Sequence, residues 1–248
     1  MNTADPRYAL WDEFLKVWPI SRLETMTLDE YTNTSKTDSF CYWLEAKTEK
    51  LGSIWGMNAF KFGVYARVDT AQKPNKQGRI YTQTHGWSLR FGKSREEAFE
   101  KVRASVVAIA RAADRGDFAA IDKITFTFMV RWKIAFLYQP RDACRVIPIF
   151  NEWWLGKAHR LAFGGKAAGS VMHGALSEKY ANLDVFERGD LVLLQLKEEK
   201  PSLRFWVLPI DGMHLDAVKD ETEVDASEIA ESVLKQLRVK KVCVKDRI

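Results

Sequence analysis

The chain has 248 residues, of which 46% are hydrophobic and 29% charged, as is typical of a folded protein with a sizeable core. No apolar run reaches 18 residues, which excludes an ordinary membrane-spanning helix, and the N-terminus lacks the apolar segment of a signal peptide. The three cysteines (Cys41, Cys144 and Cys243) are too far apart for a zinc motif and too few for a disulfide framework. We therefore expect a cytoplasmic protein without a metal or other cofactor.

The net charge of +5 is distributed unevenly. Residues 60–95 carry eight Lys or Arg and one acid, whereas residues 211–231 carry eight acids and one lysine. A basic segment of this kind is where a polyanion such as nucleic acid is expected to bind. The alternative is that folding places the acidic segment beside the basic one and neutralises it.

The first elements along the chain are predicted helices. In "RYALWDEFLKVW", residues 7–18, apolar residues recur on one helical face, and Pro19 ends the pattern. Thr27 followed by Glu30 is a capping-box signature for a short second helix.

From Ser39 the pattern becomes that of β-strands. The predicted strands are "SFCYWLEA" (39–46), "AFKFGVYARV" (59–68), "RIYTQT" (79–84) and "WSLRF" (87–91). A turn is predicted at His85–Gly86. In the second strand, apolar residues at even positions alternate with Lys61, Tyr65 and Arg67, so its other face is expected to be aromatic and basic.

Ser94 with Glu97 caps the clearest helix, which is expected to end at Gly116. Further helices are predicted at 151–161, 175–183 and 225–239. Further strands are predicted at 124–140 and 144–150, and as a hairpin of residues 190–197 with 204–210. The expected fold is α+β, with a twisted, mostly antiparallel sheet flanked by helices. We divide it into residues 1–160, a DNA-recognition region, and residues 161–248, a hairpin-plus-helix extension that is either separate or part of the same domain.

Nucleotide-binding and catalytic motifs are absent from the sequence. It has no P-loop, no H-E-x-x-H, no C-x-x-C and no G-x-S-x-G, so we expect no enzyme activity and no bound nucleotide. One catalytic alternative stays open. Glu45 and Lys47 at a strand end, with Asp38 upstream, form the acid and E-x-K pattern of magnesium-dependent nucleases.

The segment from residue 40 to residue 67 is dense in aromatic, basic and glycine residues. Aromatic rings stack on bases and Lys or Arg neutralise phosphates, so this segment and the basic residues after it are the expected DNA-binding surface. Phosphate contacts are predicted for Lys61, Arg67, Lys76, Arg79 and Arg90. Asn58 is expected to bind a base edge, and Trp55 or Trp87 to stack or wedge.

Residues 8–155 resemble the N-terminal region of McrB-type proteins. The resemblance is carried by "WDEFLKVWPISRLETMTLDEYTNTSKTDSFCYWLEAKTEKLGSIWGMNAFKFGVYAR" and by "WKIAFLYQPRDACRVIPIF". McrB-type proteins are AAA+ GTPases of restriction systems, in which the N-terminal domain reads DNA and the GTPase ring recruits a separate nuclease subunit. This chain lacks the motor, so it is expected to be either an excised N-terminal domain or a short relative.

The resemblance implies a DNA-specificity domain of a phage-defence restriction system, with DNA, a GTPase motor and a nuclease subunit as partners. Two other functions stay open. One is a protein-interaction module in which Trp153 and Trp154 dock a partner, and the other is the magnesium-dependent nuclease.

Overall fold

A computed structural model describes residues 5–35, 37–75 and 78–198 and two short strands, β4 (Trp206–Val207) and β5 (Val242–Cys243). The chain divides into two compact units, residues 1–196 and residues 197–248. In the second unit, β4 and β5 pair in antiparallel orientation. The helix predicted at 225–239 lies outside the described residues.

Helices make up most of the first unit. Their bounds are α1 (Pro6–Val17), α2 (Ile20–Thr25), α3 (Leu28–Tyr31), α4 (Phe40–Tyr42), α5 (Arg95–Asp114), α6 (Phe118–Asp122), α7 (Phe128–Tyr138), α8 (Glu152–Phe163), α9 (Gly169–Lys179) and α10 (Val185–Glu198). A π-helix (Trp43–Lys47) continues α4, and 3-10 helices lie at Glu49–Leu51, Ala59–Phe62 and Arg141–Ala143. Within the described residues, no helix is both long and apolar enough to cross a membrane.

The sheet of the first unit has three short strands, β1 (Val64–Ala66), β2 (Arg79–Tyr81) and β3 (His85–Ser88). Their order is β1-β3-β2 and both pairings are antiparallel. The predicted α+β class is therefore confirmed in a broad sense, with a sheet that is small beside the helices.

Three predicted helix starts are confirmed. The Thr27 side chain accepts a hydrogen bond from the Glu30 N–H, and the Glu30 carboxylate accepts one from the Thr27 N–H, which completes the capping box of α3. Ser94 accepts from the Glu97 N–H at the start of α5. The predicted helix at 7–18 is α1, and Pro19 follows it.

Helix α7 lies at the centre of the main core, with side chains from Met129 to Tyr138 almost all buried. The indole of Trp11 stacks on Phe136 with ring centroids 4.5 Å apart and donates to the Leu137 carbonyl at 2.7 Å. A second apolar cluster lies among the last three helices and includes Leu155. The boundary predicted at residue 160 falls within α8.

Several predicted strands are wrong. Residues 39–46 form α4 and most of the π-helix, because the Ser39 hydroxyl caps a helix by accepting from the Tyr42 N–H. Residues 124–140 contain α7. Residues 190–197 belong to α10 and not to a hairpin strand, whereas Trp206–Val207 of the predicted second strand form β4 and pair with β5. Residues 144–150 lie outside regular secondary structure.

The turn predicted at His85–Gly86 is also misplaced. Both residues belong to β3, and the chain reverses at residues 82–84, where the Thr82 N–H donates to the His85 carbonyl at 2.8 Å.

Candidate nucleic-acid interface

The three-stranded sheet has one face in the core and one face outside. Val64 of β1 lies opposite Trp87 of β3, and Tyr65 and Tyr81 from the two flanking strands both lie opposite Gly86. Because side chains alternate along a strand, these two rows are on opposite faces. Val64 and Trp87 are buried in the main core, so the two half-buried tyrosines mark the outer face.

The segment before β1 is the 3-10 helix Ala59–Phe62 rather than the start of a strand. Asn58 caps this helix, because its side-chain oxygen accepts from the Phe60 N–H at 3.1 Å. The helical turn places Phe60 beside Tyr65 on the outer face and buries Lys61. The predicted alternation is therefore reversed at these two positions.

Phe60, Tyr65 and Tyr81 form an outer aromatic cluster. The Phe60 ring is nearly perpendicular to the rings of Tyr65 and Tyr81, and its centroid lies 5.1 Å from that of Tyr65 and 5.5 Å from that of Tyr81. The Arg79 guanidinium lies 4.8 Å from the centre of the Phe60 ring. Burial raises the pKa of the Tyr65 hydroxyl, so this group stays protonated and can donate a hydrogen bond at neutral pH.

Two clefts adjoin the outer aromatic cluster. The Trp55 cleft has a volume of about 470 Å³, and its lining includes the aromatic residues Tyr42, Trp55 and Tyr65 and the carboxylate of Glu45. The second, the Arg79 cleft, has about 490 Å³. Residues that line both clefts are Ala59, Tyr65 and Lys73. The two clefts are therefore adjacent, and Tyr65 contributes to the lining of both.

Cationic and anionic groups both lie at the clefts. The Lys73 ammonium pairs with Asp69 at 2.7 Å, and this pair lowers the pKa of the Asp69 carboxyl. Both side chains are substantially exposed, so solvent screens the pair and a phosphate could compete for the lysine. Arg79 is exposed, and no ion pair of the described residues joins it to a carboxylate.

Four of the predicted DNA-binding residues are at the surface. Trp55 is 57% exposed at the tip of a loop, and Asn58 and Arg79 are exposed at the Arg79 cleft. The exposed Arg90 donates to the Thr127 hydroxyl at 3.2 Å and does not line either cleft. Partial burial lowers the pKa of the Arg90 guanidinium.

Three others, Lys61, Arg67 and Trp87, are buried and not at the surface as predicted, although Arg67 lines the Trp55 cleft. Lys61 donates to backbone carbonyls and pairs with Glu45. The Arg67 guanidinium donates to the carbonyls of Thr82 and Ala71 and so holds two loops together. Trp87 is only 5% exposed, on the core face of β3.

The remaining predicted contact, Lys76, lies outside the described residues.

The nuclease pattern does not form in the way that the sequence indicated. Glu45 and Lys47 lie on the π-helix, not on a strand end, and each is paired elsewhere: Glu45 with Lys61, and Lys47 with Glu13 at 3.4 Å. Asp38 accepts from the Asn33 amide at 3.1 Å. In the described part of the chain, no group of three or more His, Cys, Asp or Glu could hold a metal ion.

The sequence-based site missed Phe60, Tyr81, Tyr42 and Lys73. Phe60 was assigned to the core because it fits an alternating strand pattern, which the 3-10 helix breaks. Tyr81 had a detectable signal: it follows Ile80 in a short strand, so it belongs to the face opposite an apolar residue.

Comparisons with known protein families, with characterised proteins and with solved structures found no match to this chain. The candidate interface is therefore defined by its own geometry. It is an exposed tryptophan, three clustered aromatic rings and a stacked arginine around two adjacent clefts.

Gly86 is expected to be required for the position of Tyr65. A Cβ atom at residue 86 would lie 2.7 Å from the nearest Tyr65 ring atom, so Gly86→Ala should lower the free energy of unfolding by about 1–3 kcal/mol through overpacking. In a Tyr65→Ala background the same change should be neutral or stabilising, because alanine suits a strand better than glycine. Urea unfolding of the wild type, the two single variants and the double variant measures this reversal in the effect of Gly86→Ala on the free energy of unfolding. An equal effect in both backgrounds would contradict the close contact.

Proposed function

We propose that this chain is a non-catalytic DNA-binding module and that the surface around Trp55 and the outer aromatic cluster is its DNA contact. The observation that carries the proposal is the exposed Trp55 at a cleft that adjoins the outer aromatic cluster and the Arg79 guanidinium. Exposed aromatic rings beside cations suit a ligand with flat, apolar faces and negative charges, and nucleic acid has both.

The surface residues divide into two roles. Arg79 and Lys73 are the groups for phosphates, since both are exposed and cationic. Trp55 and Tyr65 offer rings for a base, and the Trp55 cleft has room beside them for a base taken out of the stack. The Asn58 carbonyl is used in capping, so only its amide N–H groups are available to a base acceptor.

The resemblance to the N-terminal region of McrB-type proteins gives this proposal its biological setting. We infer that the module supplies DNA specificity to a restriction system of phage defence and acts with a GTPase motor and a nuclease subunit. The P-loop absent from the sequence would then belong to a partner. The geometry of the outer face is compatible with this role because that face does not take part in the main core.

Arg79→Gln is expected to reduce the salt dependence of DNA binding by about one unit in the slope of log K against log salt, the loss of one phosphate contact. Fluorescence anisotropy with duplex DNA across a salt series measures this slope. The matched control is Arg115→Gln, because Arg115 is also exposed but lines a groove along α5 instead of either cleft. Equal slopes for the two variants would place the phosphate contacts elsewhere.

A second candidate function is a protein-interaction module. It is favoured by exposed apolar side chains of α8, namely Trp153, Leu161 and Phe163. Trp153 and Leu161 are eight residues apart, so they lie on one helical face. This candidate predicts affinity for a protein partner and no salt-dependent binding of DNA.

A further inference from the structure

The loop that carries Trp55 is held from inside by a buried ammonium group. Lys61 is 3% exposed, and its Nζ donates to the carbonyls of Ile54 at 2.7 Å and Gly56 at 2.9 Å. These two carbonyls belong to the residues on either side of Trp55. The third partner of the ammonium is the Glu45 carboxylate. One side chain thus fixes both backbone flanks of the exposed tryptophan.

A second buried lysine holds the beginning of the same segment. Lys133 of α7 is fully buried and donates to the carbonyls of Thr48 at 2.7 Å and Gly52 at 2.6 Å. Burial lowers the pKa of the Lys133 amine well below its usual value, but the neutral amine still has the two donors that these carbonyls need. The segment from Thr48 to Gly56 is therefore attached to the core through four backbone carbonyls.

The tip of this loop has little other support among the described residues. Gly56 has φ of +93°, and Met57 has φ of +59° although it is 69% exposed. A positive φ in a residue other than glycine is costly and persists where surrounding contacts hold it. The Trp55 N–H donates only to the nearby Ser53 hydroxyl, at 3.2 Å. The tip is thus ordered by hydrogen bonds from the buried Lys61 side chain, which lies outside it.

Glu45 connects this arrangement to the Trp55 cleft. Its side chain lines the cleft and is 27% exposed, while one of its oxygens accepts from Lys61. A group that occupies the cleft would therefore meet a carboxylate that also orients the ammonium behind Trp55.

We propose that Lys61 is a positioning residue that presents Trp55 at the mouth of the cleft, with Glu45 holding the lysine in place. The role of this arrangement in DNA binding rests on the proposed function, whereas the order of the loop does not. Lys61 is therefore expected to affect binding through Trp55 and not through a phosphate.

The first test measures the loop without DNA. In protein labelled with 5-fluorotryptophan, the nine tryptophans give separate ¹⁹F signals, and Trp55→Phe assigns the one of interest. Lys61→Met is expected to move the Trp55 signal towards its value in unfolded protein and to leave the signals of buried Trp11 and Trp132 unchanged. The control Lys47→Met removes an exposed ammonium from the same region and should leave the Trp55 signal in place.

Glu45→Gln is the milder variant, and it tests the positioning of Trp55 if Lys61→Met does not fold. It keeps an oxygen acceptor but removes the charge, so the Trp55 signal should shift in the same direction by a smaller amount. An unchanged Trp55 signal in a folded Lys61 or Glu45 variant would overturn the proposal.

The second test separates positioning from direct contact. Lys61→Met should weaken DNA binding about as much as Trp55→Ala, the double variant should bind no more weakly than either, and the salt slope should stay unchanged. A slope reduced by about one, or fully additive losses, would overturn the positioning role. If the wild-type chain does not bind DNA, the proposed function fails, and the ¹⁹F result still decides the position of the loop.

Discussion

Trp55→Ala is expected to weaken the binding of duplex DNA by about 5- to 150-fold, because stacking of a base on an aromatic side chain contributes about 1–3 kcal/mol. Trp55 is the most exposed aromatic side chain at the two clefts, so its removal takes away a contact surface and leaves the core intact. The salt slope should not change, since an indole carries no charge. Anisotropy titrations at several salt concentrations measure both quantities.

The chain contains a closely matched control for this variant. Trp153 is 45% exposed on α8, lines neither cleft, and contacts Trp154 edge-on at 4.7 Å. Trp153→Ala removes the same type of side chain with similar exposure and should leave DNA binding unchanged. A loss of DNA binding at Trp153 and not at Trp55 would place the DNA contact on α8. No DNA binding by the wild type would favour the protein-interaction module.

Local signals in the sequence were sufficient for the helix starts. Thr27 with Glu30 and Ser94 with Glu97 were predicted as caps and form the predicted hydrogen bonds. These contacts join residues three apart, so they depend on no distant part of the chain.

Helix α7 was mistaken for a strand because its side chains are apolar on all sides. A helix buried in the core shows no amphipathic period, and β-branched and aromatic residues between Phe126 and Tyr138 favour a strand. Helix α10 was missed for a different reason. Its buried positions Val185, Gly189, Val192 and Leu196 have helical spacing, but the predicted strand began at residue 190, after the first two of them.

The sequence indicated the segment that carries the candidate site, but it did not indicate which side chains of that segment face outward. Trp55 lines one cleft and Asn58 and Arg79 line the adjacent one, and their role in DNA binding stays a prediction. Lys61 is buried and Phe60 faces outward, which is the reverse of the prediction, because a 3-10 helix and not a strand precedes β1. A buried lysine is rare and needs hydrogen-bond partners. Those of Lys61 are backbone carbonyls of the irregular segment just before it, and no sequence pattern indicates that they turn towards the lysine.

Acidification is expected to destabilise the fold through His173. The imidazole is fully buried in α9, its ring lies 4.7 Å from that of Trp132, and neither ring nitrogen has a hydrogen-bond partner within the described structure. Burial alone lowers the pKa of His173 from 6.5 to about 3. The folded state therefore keeps this side chain neutral under conditions in which the unfolded chain binds a proton.

The direction of the effect follows from proton linkage. Between pH 6.5 and pH 3 the unfolded state binds more protons at this position than the folded state, so the free energy of unfolding falls as pH falls. Above pH 6.5 the free energy of unfolding is not reduced by protonation of His173. At pH 5 this protonation should lower the free energy of unfolding by about 2 kcal/mol. Acid in this range should therefore lower the urea midpoint measured by circular dichroism.

The variant that isolates this effect is His173→Leu. Leucine fills the apolar space beside Trp132 without a titratable group, so stability at pH 7.5 should change little, and about 2 kcal/mol of the loss between pH 7.5 and pH 5 should disappear. His85→Gln is the control for loss of a histidine. Burial also lowers the pKa of His85, but this imidazole is only half-buried and bonds to Thr84, so the variant should keep most of the loss of stability on acidification. An equal loss of stability on acidification in the wild type and His173→Leu would show that other groups, and not this imidazole, limit the fold at low pH.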